Sequence, residues 1–282
     1  MLYILETSWV VTFFLNKKRS RQKKKEDDMS MLYSVIIGKG CVIPMIKHLL
    51  FDLDGTLLPV DLDFFFRHYI QALSRSFSHL MPEKQFSQHL LASTTRMITD
   101  RDPTRTNEEV FWADFCDRIN RPRSELEPVF LHFYRHEFPG LKKFINHPEP
   151  VREILEDARQ KNFSLILATN AIFPEFVIRE RLSWINCHDL HFSLITSFEQ
   201  MHFCKPNPEY YREILNALKI PAGSCMMIGN DAEEDLVASV LGIKTCLVTD
   251  YLIPRDNNLQ PDFSCRLAEL PSILEKIKKE SS

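Results

Sequence analysis

The apolar segment IKHLLFD, residues 46 to 52, followed at once by Leu53-Asp54-Gly55-Thr56, constrains this chain more than any other stretch. A short apolar run that ends in acid and glycine reads as a buried β-strand feeding a tight turn. Strand alternation turns Leu53 away while Asp52 and Asp54 approach the same side, and Gly55 permits the turn that follows. Two acids thus become neighbours at the carboxyl end of a strand, where open α/β sheets bind ligands. Their mutual repulsion calls for a shared proton or a cation, of which magnesium is the natural one. Taken alone, the same five residues also suit a surface turn or part of a calcium loop, since Asp and Gly favour turns.

Further short apolar segments run from Phe163 to Thr169, Phe192 to Ser197, Cys225 to Gly229 and Ile243 to Thr249. Helical patterns separate most of them, at Pro150 to Gln160, Pro174 to Leu182, Pro208 to Leu218 and Glu233 to Leu241. The alternation predicts an α/β fold with a Rossmann-like parallel sheet core flanked by helices.

Between the first and second strands lie more than a hundred residues with strong helical patterns and no convincing strand. Candidate helices are Leu62 to Leu80, Glu83 to Met97, Glu108 to Ile119 and Arg123 to His136, with Asn107 as a cap before the third. The expected organisation is an N-terminal extension (1–44), a core (45–58 and 145–282) and an inserted α-helical domain (59–144). Phe64, Phe65, Phe66, Phe111, Trp112, Phe115 and Phe130 could line a cleft in the insertion, but core burial is the expectation for any one ring.

The 282 residues are 44% hydrophobic and 26% charged, the proportions of an ordinary globular protein. A net charge of −3 gives no general drive toward nucleic acid or an anionic membrane, so a small anionic ligand would need locally placed cations. The seven cysteines include no C-x-x-C pair, which argues for buried thiols in a reducing cytoplasm rather than for zinc or redox chemistry. Near the amino end, the apolar stretch from Val10 to Leu15 falls short of the roughly 20 residues of a membrane span. The basic run from Lys17 to Lys25 follows it rather than preceding it, unlike a signal peptide. The extension therefore reads as a solvated segment, and Met45 would start a compact domain cleanly.

Three more segments follow in order: Thr169-Asn170 ending the second strand, Lys205-Pro206 after the third, and Gly229-Asn230-Asp231 through Asp235 after the fourth. All would converge on the carboxyl rim of the sheet. In this order and spacing the chain resembles the haloacid dehalogenase (HAD) superfamily of hydrolases over roughly residues 46 to 255. The helical insertion between the first and second motifs is similar to the first of that family's cap types.

The resemblance implies a magnesium-dependent phosphohydrolase acting on a small phosphate monoester. Asp52 would attack phosphorus and become a transient aspartyl phosphate, while Asp54 would serve as acid and then base. Dehalogenases of the superfamily lack the second aspartate, because a departing halide needs no proton, so Asp54 favours phosphate chemistry. Thr169, Asn170 and Lys205 would bind the phosphate, Thr169 and Lys205 as catalytic residues as well.

In the family's fourth motif an acid commonly follows the glycine directly, whereas here Asn230 stands there and Asp231 and Asp235 keep a four-residue spacing. The implied metal set is Asp52, Asp54 through its carbonyl, Asp231 and Asp235. Asp231 is favoured as the direct ligand, and Asp235 would hold metal-bound water or orient Lys205. Glu233 and Glu234 read as first-turn helix residues. Arg67, His68, Arg101 and Arg105 read as exposed residues outside the site. A phosphomutase and a non-catalytic binding protein of the same fold are the alternatives, the second opposed by the intact Asp52 and Asp54. The expected partner is a small phosphorylated metabolite, with no nucleic acid and no membrane.

Overall fold

Five parallel strands form one sheet in the order β2-β1-β3-β4-β5: β1 His48–Phe51, β2 Ser164–Leu167, β3 Cys225–Gly229, β4 Lys244–Val248 and β5 Phe263–Cys265. The structure, a computed structural model, describes residues 45–146 and 150–280. The expected N-terminal extension lies outside the described residues. Every residue of β3, and the last three of both β1 and β2, are buried, as a parallel sheet covered on both faces requires.

The period-two alternation sorts these side chains cleanly. Leu49, Phe51, Leu165, Leu167, Met226 and Ile228 enter one apolar cluster, and Leu50, Ile166, Cys225 and Met227 enter another on the opposite face. The first face packs against Val151, Ile154 and Leu155 of one helix and Leu270 and Leu274 of the C-terminal helix, the second against Tyr210, Tyr211 and Ile214. The described cysteines are free thiols. No helix among the described residues is long and apolar enough to cross a membrane.

Four helices and a 3-10 segment (Phe138–Phe144) lie between β1 and the helix leading to β2: α1 Leu62–Ser76, α2 Glu83–Thr99, α3 Asn107–Ile119 and α4 Arg123–His136. Their core is aromatic, with Phe77 stacked on Phe86 at 4.3 Å between centroids and Phe115 and Phe130 packed around them. Phe65, Phe111, Trp112, Phe115 and Phe130 are buried, Phe66 is partly buried, and Phe64 is exposed.

The α3 cap differs from expectation. Thr106 caps the helix, accepting from Glu109 N while the Glu109 carboxylate accepts from Thr106 N, a reciprocal arrangement that satisfies two end groups. Asn107 is instead fully buried and ties the insertion to the core, donating from Nδ2 to Ala171 O at 3.1 Å and Phe203 O at 3.3 Å. The remaining α-helices among the described residues are α5 Val151–Gln160, α6 Glu175–Trp184, α7 Pro208–Leu218 and α8 Leu270–Glu280.

Two of the expected elements are corrected. The segment from Phe192 to Ser197 is no sheet strand but an extended piece along the β2 edge, where Leu167 N donates to Leu194 O and Thr196 N donates to Leu167 O. The fifth strand is Phe263–Cys265, a three-residue element too short and too polar to carry a periodic signal. The helix expected from Glu233 is a turn followed by a 3-10 helix at Leu236–Leu241.

Candidate active site

The strand order reverses at β1, which is flanked by β2 on one side and β3 on the other, and ligand crevices form at the carboxyl ends of such switch points. Asp52 follows β1 directly, and Asp52 N donates to Ile228 O at 2.9 Å, so the nucleophile candidate is still held in the sheet. Gly55 then turns the chain at φ +83°, a left-handed conformation that suits glycine. A Cβ there would also lie 2.3 Å from the Asn230 amide, so Gly55 lets the first and fourth motifs touch. Asn230 closes that contact, with Oδ1 3.1 Å from Thr56 Oγ1 and Nδ2 donating to Tyr251 O at 2.7 Å.

A cavity of about 170 Å³ opens between this rim and the helical insertion. Asp52, Asp54, Thr169, Asn170, Asp231 and Asp235 line its floor, while Leu62, Phe66 and Ile98 from α1 and α2 contribute its roof. Lys205 is fully buried beneath it, with Nζ 2.9 Å from Asp52 Oδ1 and 2.7 Å from Asp235 Oδ1. The fold therefore gathers every residue singled out in the four segments, across as many as 183 positions of sequence from Asp52 to Asp235.

Burial dominates the electrostatics. It works against the Lys205 ammonium, yet Asp235 and Asp52 outweigh it and hold the pKa well above the ordinary lysine value. The same burial pushes Asp52 up to about 7, against the pull of Lys205, and raises Asp235 as well. One cation shared by two carboxylates leaves the cluster a negative charge, so a further cation or a proton belongs with it.

The loops carrying these groups are braced from behind. Tyr210 OH donates to Thr169 O at 2.7 Å and Tyr211 OH to Glu234 O at 2.8 Å, so α7 fixes the second and fourth segments together. The Asn170 side chain bridges three loops, accepting from Lys205 N at 3.2 Å and donating to Glu234 Oε2 at 3.0 Å.

Three charged residues that sequence reasoning did not place in the site are in it. Glu234 lines the cavity, and burial together with Asp231 and other acids, against the pull of Lys205, pushes its carboxyl up to about 8. Arg255 also lines it and clasps Asp231, with Nη2 2.5 Å from Oδ2 and Nε 3.2 and 3.1 Å from the two oxygens. Arg181 of α6 is fully buried, pairs through Nη1 with Asp54 Oδ2, and lies 4.5 Å over the Phe173 ring.

Of these, Arg181 was readable. It shares the helix face of Val177, Ile178 and Trp184, and a charge on an apolar stripe implies a buried partner. Arg67, His68, Arg101 and Arg105 bond to nearby backbone carbonyls and line neither described cavity. A second cavity of about 140 Å³ lies between the insertion and the core, with Phe111, Trp112 and Phe130 on one wall and Ile172, Phe176 and Phe198 on the other.

As a metal site the donor chemistry is that of a hard cation, all carboxylate and carbonyl oxygen. Among the described residues, however, no three acids, histidines or cysteines converge as a ready ligand set, since Arg255 engages Asp231 while Lys205 takes Asp235 and one oxygen of Asp52. Asp52 Oδ2 remains available, with Thr56 Oγ1 as a distant neighbour at 3.4 Å.

A family profile described as haloacid dehalogenase-like hydrolase matches residues 46–239. The chain is 23% identical over 234 residues to pyrophosphatase PpaX of Halalkalibacterium halodurans, covering 82% of this chain and 96% of that protein. Among solved structures it is similar to a HAD phosphatase from Thermococcus onnurineus, at TM-score 0.52 and 20% identity over 81% of this chain and 98% of that one. It is also similar to L-2-haloacid dehalogenase from Xanthobacter autotrophicus, at TM-score 0.50 and 16% identity over 82% of this chain and 99% of that one. The fold is therefore shared by hydrolases of two chemistries, and the side chains must distinguish them.

Proposed function

The chain belongs to the haloacid dehalogenase-like hydrolase family, and from that premise we propose that it is a magnesium-dependent phosphohydrolase cleaving a small phosphate monoester through an aspartyl phosphate on Asp52. The observation that carries this reading is the joint presence of Asp52 and Asp54 in one cavity, with Lys205 2.9 Å from Asp52. A halide leaves without a proton, so a dehalogenase has no use for Asp54. An alkoxide leaves poorly without one, and a carboxyl beside the nucleophile supplies it.

Lys205 holds one Asp52 oxygen in place and offsets charge where the phosphate would meet the nucleophile. Asp235 positions Lys205 in turn. Thr169 has its carbonyl fixed by Tyr210 and Thr196 and lines the cavity, where its hydroxyl would meet a phosphoryl oxygen. Asn170 contributes to the same phosphate pocket, although its side chain also holds the Lys205 loop. Asp52, the Asp54 carbonyl and Asp231 would hold magnesium, which would supply charge neutralisation for the phosphate. The insertion closes the cavity from above, where Phe66 and Ile98 would exclude water and read the leaving group.

The test is phosphate release from a panel of phosphomonoesters and inorganic pyrophosphate, with magnesium and with a chelator, for the wild type and Asp52→Asn. Magnesium-dependent turnover lost in Asp52→Asn supports the reading. A folded, metal-loaded wild type that releases phosphate from nothing in the panel sinks it.

A further inference from the structure

We propose that Arg181 is a positioning residue for Asp54, gripping one carboxyl oxygen so that the carboxyl keeps the orientation its acid–base step needs. The inference rests on the phosphohydrolase reading above and assigns roles within its acid–base step.

The two Asp54 carboxyl oxygens differ in state. Asp54 Oδ2 is ion-paired with Arg181 Nη1, whereas Oδ1 is buried and has no hydrogen-bond partner among the described residues. That oxygen is closed to solvent and takes no part in holding the carboxyl, so the grip on Asp54 falls to Arg181. Asp54 lines the cavity beside Asp52, where a reacting oxygen of substrate or water would meet its carboxyl. In the first step the Asp52 carboxylate forms a bond to phosphorus while the bond from phosphorus to the leaving oxygen breaks, and the proton on the Asp54 carboxyl passes to that oxygen, which departs as a neutral alcohol. In the second step water attacks phosphorus, its proton passes to the Asp54 carboxyl, and the bond from phosphorus to Asp52 breaks to restore the carboxylate.

Arg181 is suited to this and to little else. It is fully buried and does not line the cavity, so it does not meet a substrate there. Phe173 packs under its guanidinium at 4.5 Å, and Nε and Nη2 have no partners among the described residues, so the pair with Asp54 is its one charged contact there. Because α6 is a regular helix packed through Val177, Ile178 and Leu182, the guanidinium is fixed, and a carboxyl held on one edge by a fixed guanidinium loses its freedom to rotate. Proton transfer is sensitive to that freedom, since misplacement by about an ångström costs on the order of 10²-fold in rate.

The experiment uses the full chain with magnesium and a series of aryl phosphates from phenyl to 4-nitrophenyl, reading kcat/KM, which reports the step in which the phenol leaves. Folding of each variant is checked by circular dichroism. In Arg181→Met we expect kcat/KM to fall about 10²-fold for phenyl phosphate but less than about tenfold for 4-nitrophenyl phosphate, whose leaving group needs no proton. Asp54→Asn should show the same steepened dependence, and the double variant should be no worse than Asp54→Asn. Should Arg181→Met not fold, Arg181→Lys carries the test, with an intermediate steepening expected. A loss equal across the series, or none, in a folded Arg181 variant overturns the proposal. If Asp54→Asn itself shows no steepening, or the wild type releases phenol from no member, the acid–base reading beneath the proposal fails instead.

Discussion

The Asp235 carboxylate fills the space that a Cβ on Gly229 would need, with Oδ2 2.1 Å from that position. The absence of a side chain at the end of β3 thus lets Asp235 lie flat against the strand and reach Lys205 at 2.7 Å. Gly229→Ala should push Asp235 away and free Lys205 from its second anchor. We expect phosphatase kcat to fall at least tenfold with the protein still folded, and a crystal structure of the variant to show the Lys205–Asp235 contact broken. Unchanged kcat would mean that Asp235 does not position the lysine.

Lys205 is the one ammonium between two buried carboxylates. Removing one partner of a buried ionic cluster costs about 3–5 kcal/mol, because the charges left behind lose their compensation. Lys205→Met should lower unfolding free energy by that order in urea titrations at pH 8. The deficit should shrink at pH 5, where Asp52, with its pKa pushed up to about 7, is protonated in the folded state. A deficit independent of pH would contradict this account.

Glu234 titrates in the folded state near 8 rather than at the ordinary glutamate value of 4.5. Between those values the folded protein holds a proton that the unfolded chain has released, so the contribution of this group to stability is present at low pH and lost as pH rises through that window. The carboxyl opens partly onto the cavity, and the effect is set at about 1–2 kcal/mol after allowing for screening. With chelator present, Glu234→Gln should gain that much over the wild type at pH 9 relative to pH 5 in thermal unfolding. Parallel pH curves would rule it out.

Arg255 holds Asp231 through both of its oxygens. A cation that binds through Asp231 must compete with this guanidinium, and a protein that first has to leave a competing state shows weakened apparent affinity. Arg255→Met should therefore bind magnesium about tenfold more tightly by isothermal titration calorimetry, without any substrate present. Weaker binding would show that Arg255 orients Asp231 for the metal instead.

The strand β1, the paired acids behind it and the order of the four segments could be read from the sequence because each depends on local pattern: an apolar run, a two-residue alternation, a glycine that must turn. The helices of the insertion were legible for the same reason, through their 3.6-residue period. Local pattern failed where an element is short or borrows its stability from a neighbour. Phe263–Cys265 is a strand because β4 lies beside it, and the segment from Phe192 to Ser197 falls short of one although it bonds along β2. Asn107 looks like a helix cap in sequence, yet Thr106 takes that role and Asn107 reaches the core.

The charges show the division most sharply. That Asp52, Asp54, Asp231 and Asp235 belong to one rim follows from the ends of β1 and β3 that they follow, so the sequence by itself determined this acidic half of the site, while Glu234, Arg181 and Arg255 joined it through tertiary packing. The pairing of Asp54 with Arg181, of Asp231 with Arg255 and of Asp235 with Lys205 was decided by tertiary structure, because a long side chain finds its partner across elements whose spacing and rotation are set by packing. No periodicity links residue 54 to residue 181, and the burial that moves Glu234 and Asp52 away from ordinary carboxylate behaviour exists once the insertion covers the sheet.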